Sequence, residues 1–183
     1  MTTGTSVRAS GDVLRADTSR MAVAGDSAGG NLAAVVAQVL RDHGDHRLRH
    51  QALIYPATDL TMSSPSIDEH ANAAGLTRRS MSAFRDHYVP AGHDLRDPLL
   101  SPLFGRLDGL PPALVQTADL DPLRDDGTRY AAALRDAGVP VRLTNYLRVP
   151  HGFAFTPGAA PAVGRQQRWE LAAELSTALN APR

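Results

Sequence analysis

The sequence of 183 residues contains no cysteine. Disulfides, thiolate metal centres and a cysteine nucleophile are therefore excluded, and the redox compartment is left open. Net charge is lacking too, because 19 basic side chains balance 19 acidic ones. Such a balance provides no field to gather nucleic acid, an anionic membrane or another highly charged partner. Long apolar runs are also missing. Residues 1–20 are polar and hold no stretch of signal-peptide length, and no later segment approaches the length that spans a bilayer. The expectation is a cytoplasmic protein with no membrane span and no nucleic-acid partner.

What remains is an ordinary globular composition, 43% hydrophobic and 21% charged. The length suits one domain with a substantial core. Within it, one stretch stands out. Residues 21–24 form a short apolar run, followed by Gly25-Asp26-Ser27-Ala28-Gly29 and then by Leu32, Val35, Val36, Val39 and Leu40 at helical spacing. Strand, G-x-S-x-G and amphipathic helix together describe a nucleophile elbow. A serine at the tip of a sheet requires a sharp reversal, which leaves no room for side chains two positions either side. The helix that follows aims its free N–H groups, that of Ala28 first, where a negative oxygen would develop. The plainer reading is a glycine-rich turn with a capping serine.

The chain order supports an α/β class. Residues 1–16 are polar and read as a poorly ordered segment, leaving 17–183 as the domain. Residues 41–50 read as a charged loop, 51–55 as a second strand closed by Pro56, and 57–110 as an excursion off the sheet. That excursion carries one helix from about Thr77, with Met81, Phe84 and Tyr88 on a shared face. Residues 113–118 predict a third strand and 141–146 a fourth. Between them a helix opens at Pro122, buries Leu123, Tyr130, Leu134 and Ala137, and ends at Gly138 before Pro140. A last helix covers about 162–179, with Leu171, Leu175, Ala178 and Leu179 on one face. Alternating strands and helices imply a mostly parallel sheet with helical crossovers.

A serine nucleophile needs a base, and the base needs a group that holds its tautomer. In a parallel sheet such residues gather at the carboxyl ends of strands. Asp121 follows the third strand and His151 the fourth, giving the order Ser27, Asp121, His151. Asp121 could equally cap the helix at Pro122, and Asp119, Asp125 and Asp126 are rivals for the acid. Among the other histidines, His87 reads as a surface residue and His93 as a loop residue. His43, His46 and His50 read as part of a solvated loop rather than a metal site, having no accompanying acidic ligand pattern.

These residues resemble a known family. Gly25-Asp26-Ser27-Ala28-Gly29-Gly30-Asn31-Leu32, Asp121-Pro122-Leu123-Arg124-Asp125-Asp126-Gly127 and His151-Gly152-Phe153 look like the hormone-sensitive-lipase-like branch of the α/β-hydrolases. Ile54-Tyr55-Pro56, Ser101-Pro102-Leu103 and Gly109-Leu110-Pro111-Pro112-Ala113 are similar too, so the likeness covers about residues 17–180. It implies Ser27 as nucleophile, Asp121 as acid, His151 as base, and hydrolysis of small carboxylic esters through an acyl-enzyme. It also implies that residues 60–100 are part of a lid. Neither a metal nor an organic cofactor is required by this chemistry.

The resemblance also carries a departure. The family places a His-Gly-Gly-Gly motif upstream of the elbow, where its backbone N–H groups complete the oxyanion hole. No such motif precedes Ser27 here. The expectation is the carboxy-terminal half of a hydrolase fold with a partial lid insertion. Ala28 is then the remaining oxyanion donor, and a pocket would be built largely by residues the chain lacks. Strand 21–24 becomes an open edge suited to self-association or to a complementing half. Two other readings stay open: a non-catalytic interaction protein on the same fold, and an amidase or peptidase using the same triad.

Overall fold

The computed structural model describes residues 17–156, 158 and 160–181, and the expected poorly ordered segment 1–16 lies outside them. Four strands form one sheet: β1 (Met21–Asp26), β2 (Leu48–Ile54), β3 (Ala113–Leu120) and β4 (Val141–Pro150). They lie side by side in chain order, and every neighbouring pair is parallel. Helix α1 (Ala28–Asp42) links β1 to β2, and α4 (Arg124–Asp136) links β3 to β4. Between β2 and β3 the chain leaves the sheet through α2 (Ser66–Glu69), α3 (Arg78–Tyr88) and a single 3₁₀ turn (Pro102–Phe104). Helix α5 (Pro161–Asn180) closes the described chain.

Successive residues of a strand point to opposite faces, and the core divides accordingly. Leu53 and Val115 pack with Ala33, Ala34 and Ala37 of α1 and with Tyr130 and Leu134 of α4. Their neighbour Ile54 turns to the other face, where it meets Tyr146, Val149 and Phe153 with Leu171 of α5. The sheet is thus covered on both sides, as buried parallel strands require.

Two helix faces differ from the reading by periodicity. On α1 the buried residues are Gly30, Asn31, Ala33, Ala34, Ala37, Gln38 and Arg41, whereas Leu32 is exposed and Val35, Val36, Val39 and Leu40 are half-buried. Short side chains lie against the sheet there, so the bulky stripe is displaced to the flank. On α5 the buried residues are Gly164, Gln167 and Glu170, while Leu171, Leu175, Ala178 and Leu179 are half-buried. Gln167 and Glu170 replace apolar packing with hydrogen bonds. The Gln167 amide donates to Gln116 Oε1 at 2.6 Å, and Glu170 accepts from Tyr146 Oη at 2.5 Å and from Gln116 Nε2 at 2.7 Å.

Boundaries also shift. Helix α4 starts at Arg124 rather than Pro122, and Ala137 is half-buried at its end. Gly138 follows in the left-handed region at φ 78°, as a terminating glycine should. Strand β2 begins at Leu48, so His50 is a buried strand residue rather than part of a solvated loop. Its Nε2 has no hydrogen-bond partner, and burial lowers its pKa. His43 and His46 are exposed on the connection before β2.

The turn from β1 into α1 is sterically exact at two glycines and open at the third. A Cβ on Gly25 would stand 2.1 Å from the Gly29 carbonyl oxygen, and one on Gly30 would stand 2.9 Å from Pro56 Cβ. A Cβ on Gly29 would meet nothing nearer than 3.9 Å, so the expected crowding on that side falls one residue later. Gly25→Ala is expected to destabilise the fold by about 3 kcal/mol, the upper end of overpacking costs. Gly29→Ala, inside α1, is expected to be neutral or to stabilise by up to about 1 kcal/mol. Urea denaturation of the two variants checks the contrast.

Candidate active site

Ser27 sits between β1 and α1 with φ 54° and ψ −119°, a backbone conformation that L-residues rarely adopt. Its neighbours hold it there. The Ser27 N–H donates to the Ile54 carbonyl at 2.8 Å, and the Ser27 carbonyl accepts from Asn31 N at 3.1 Å and from Ala57 N at 3.4 Å. Ala28 is the first residue of α1, so its N–H has no partner within the helix.

Asp121 and His151 arrive from the ends of β3 and β4. Both strands run further than the sequence predicts, to Leu120 and Pro150, so each residue follows its strand directly. Asp121 is fully buried. One carboxylate oxygen accepts from the Leu123 N–H at 2.8 Å, but Asp121 does not cap α4, whose N-cap is Leu123. The other lies 2.7 Å from His151 Nδ1. An ionised carboxylate only accepts, so Nδ1 carries the proton and Nε2 is left as an acceptor. Nε2 lies 2.9 Å from Ser27 Oγ. The structure therefore brings all three predicted residues into one hydrogen-bonded line.

The rival acids lie elsewhere. Asp119 belongs to β3 and accepts weakly from the Arg148 N–H at 3.4 Å. Asp125 accepts from the Ser66 N–H and pairs with Arg124. Asp126 is buried and fastens the excursion, accepting from Thr58 N, Asp59 N and Ser64 Oγ at 2.9, 3.0 and 2.5 Å. His87 and His93 are exposed.

Beside Ser27 lies an apolar cavity of about 170 Å³. Leu32 and Ala28 of α1 form one wall, Leu60 and Met62 another, and Met81, Phe84 and Tyr88 of α3 a third. The excursion itself supplies most of the walls of this cavity. Phe84 and Tyr88 are 65% and 55% exposed, yet they border the cavity with Met81 on the face that periodicity picked out. The polar groups at the rim are engaged elsewhere. The Asn31 amide donates to the Ala57 and Leu100 carbonyls, Arg85 pairs with Asp86, and Asp59 accepts from Thr61, Ser63 and Arg129.

The family described as having the alpha/beta hydrolase fold matches residues 4–155. The chain belongs to the α/β-hydrolase fold family. A carboxylesterase of Mycobacterium tuberculosis, NlhH, is 47% identical over 160 residues, which is 83% of this chain and 50% of that protein. An ethyl acetate hydrolase of Pseudomonas putida is 38% identical over 146 residues, covering 78% and 45%. Among solved structures, a hyperthermophilic esterase from the archaeon Pyrobaculum calidifontis superposes with TM-score 0.90 at 42% identity, covering 96% of this chain and 59% of that one. The chain thus spans about half the length of the curated relatives it matches. These relatives bear out the branch of α/β-hydrolases that the motifs resemble. Among the described residues of this hydrolase fold, no helix is long and apolar enough to cross a membrane.

Asp126 makes the fastening of the excursion sensitive to pH. Burial outweighs the help of Ser64 and the two N–H groups and raises its pKa from 3.8 to about 7. A carboxyl raised on folding contributes stability that is present below the unfolded value and lost as pH rises through the folded one. The stability difference between the parent and Asp126→Asn is therefore expected to shift against the parent between about pH 4 and pH 7. Urea midpoints across that range measure it.

Proposed function

We propose that the chain carries the catalytic residues of a carboxylic ester hydrolase, with Ser27 as nucleophile, His151 as general base and Asp121 as the acid that orients it. The observation that carries this reading is the line from Asp121 through His151 to Ser27 Oγ, with spacings of 2.7 and 2.9 Å. In that arrangement His151 Nε2 takes the Ser27 proton as Oγ attacks an ester carbonyl, and Asp121 stabilises the resulting imidazolium. The same imidazolium then protonates the departing alcohol. Water enters, gives its proton to His151 and releases the acid from the acyl-enzyme.

The Ala28 N–H is the oxyanion donor these residues supply. No His-Gly-Gly-Gly segment occurs in the sequence to add others, and losing a donor costs about 10²–10³ in turnover. Residues 60–100 act as part of the lid in this reading, covering the cavity beside Ser27. A cavity of about 150 Å³ holds a benzene ring, so the space here suits an uncharged group of similar size on one side of the ester. In this reading a second copy or a complementing segment would pair with β1, which among the described residues pairs with β2 alone. The similarity to esterases favours esters over amides as substrates.

The test uses the purified 183-residue chain with p-nitrophenyl butyrate and a fluorophosphonate probe. Slow hydrolysis and covalent labelling are expected, both abolished in Ser27→Ala. Labelling that persists in Ser27→Ala would assign the nucleophile elsewhere. Turnover as fast as that of a complete esterase would remove the dependence on further oxyanion donors.

A further inference from the structure

The base His151 is held by a hydrogen bond at each nitrogen, but these bonds constrain the ring only within its plane. Its remaining surroundings are unusual. Tyr55 packs beside the imidazole, with ring centroids 4.7 Å apart and an interplanar angle of 61°. That distance and tilt fall within the favoured range for edge-to-face rings. Tyr55 is 1% exposed and stands directly after β2 with φ 36°, in the left-handed region that side-chain-bearing residues avoid. Phe153 backs it at 6.0 Å. On the backbone side of His151, Gly75 approaches so closely that a Cβ there would stand 2.6 Å from the His151 carbonyl oxygen.

The strained backbone at Tyr55 is fixed to the nucleophile turn. Its N–H donates to the Gln116 carbonyl at 2.6 Å, while the preceding carbonyl, that of Ile54, accepts from Ser27 N and the following Ala57 N–H reaches back to the Ser27 carbonyl. The Tyr55 backbone is therefore referenced to Ser27, while its ring also packs against Phe153 of the loop that carries His151. The Tyr55 hydroxyl is buried without a hydrogen-bond partner of normal geometry among the described residues, and burial together with the nearby Asp26 carboxylate raises its pKa.

We propose that Tyr55 is a positioning residue for the base: its ring fixes the plane of the His151 imidazole relative to Ser27. The inference rests on His151 acting as the base. Because Ile54 and Ala57, which flank the Tyr55-Pro56 pair, both bond the Ser27 backbone, the imidazole keeps its aim at Oγ when the chain after β4 moves.

The experiment reads the imidazole directly, without turnover. In ¹⁵N-labelled protein at neutral pH, the His151 ring nitrogens are expected to report one form, protonated at Nδ1, in the parent and in Tyr55→Phe. In Tyr55→Leu and in the bulkier, flexible Tyr55→Met, they are expected to report a mixture of tautomers. Labelling of Ser27 by a fluorophosphonate should fall about tenfold in those two variants, the upper end of what one aromatic pair contributes, and remain unchanged in Tyr55→Phe. A folded Leu or Met variant with parental tautomer and labelling rate overturns the proposal. So does an equal loss in Tyr55→Phe, which would give the role to the hydroxyl. The parent protein offers a check that needs no variant: the His151 ring protons must show the ring-current displacement of a neighbouring aromatic, and ordinary shifts overturn the proposal. Absence of ester hydrolysis alongside the expected tautomer response would count against the proposed function and leave this inference standing.

Discussion

The arrangement depends on one constrained turn. Ser27 is held in a strained conformation by a carbonyl from the next strand and by the start of its own helix, and Gly25 must approach the Gly29 carbonyl for that turn to close. Strain of this kind persists only where the surroundings over-determine it. Here the surroundings are the parallel pairing of β1 with β2 and the close seating of α1 on the sheet. Parallel pairing continues to β4, and a register shift between Ala118 and Leu120 sets Leu120 opposite Pro150, so Asp121 and His151 leave their strands side by side.

The excursion between β2 and β3 adds a second layer whose polar groups mostly serve each other. Asp126 and Asp59 collect backbone and hydroxyl donors from residues 58–64, and Arg129 joins Asp59. At Asp59 these donors outweigh burial and hold its pKa below the ordinary carboxylate value, while at Asp126 burial prevails. Two neighbouring carboxyls thus differ in charge preference because burial dominates at Asp126, whereas at Asp59 the Ser63 and Thr61 hydroxyls and the Arg129 guanidinium together outweigh it. With its polar atoms satisfied inward, the segment presents leucine, methionine and aromatic surface toward Ser27.

Much of this was legible in the sequence because the relevant signals are local. The turn at Ser27 carries glycines at fixed offsets, and Asp121 and His151 follow apolar runs that announce strands. The order of Ser27, Asp121 and His151 then needed only the rule that functional residues collect at strand ends. Periodicity failed where packing distance outranked hydrophobicity. On α1 the bulky stripe is not the buried face, because alanines fit closer to the sheet and give a weaker periodic signal. On α5 the buried positions are a glutamine and a glutamate, whose partners Gln116 and Tyr146 come from distant strands. Periodicity marks Tyr55 only as the end of a strand, since neither its backbone conformation nor its contact with His151 leaves a trace in spacing. The cavity was missed for a related reason: α3 has no buried residue, and its stripe of Met81, Phe84 and Tyr88 borders an opening rather than a core.

The side-chain amide of Asn31 reaches from α1 to the carbonyls of Ala57 and Leu100, at 2.7 and 2.8 Å. Those two carbonyls bracket residues 58–99 of the excursion, so one buried amide cinches both ends of that stretch to the helix that begins beside Ser27. The chain between them is thereby insulated from the turn. Lengthening a closed loop is cheap, about 0.6 kcal/mol for each doubling, so the enclosed segment is free to change in size and composition without loosening the serine. The cinch makes the walls of the cavity an interchangeable part, and it lets the reach of the site diverge while its chemistry stays fixed.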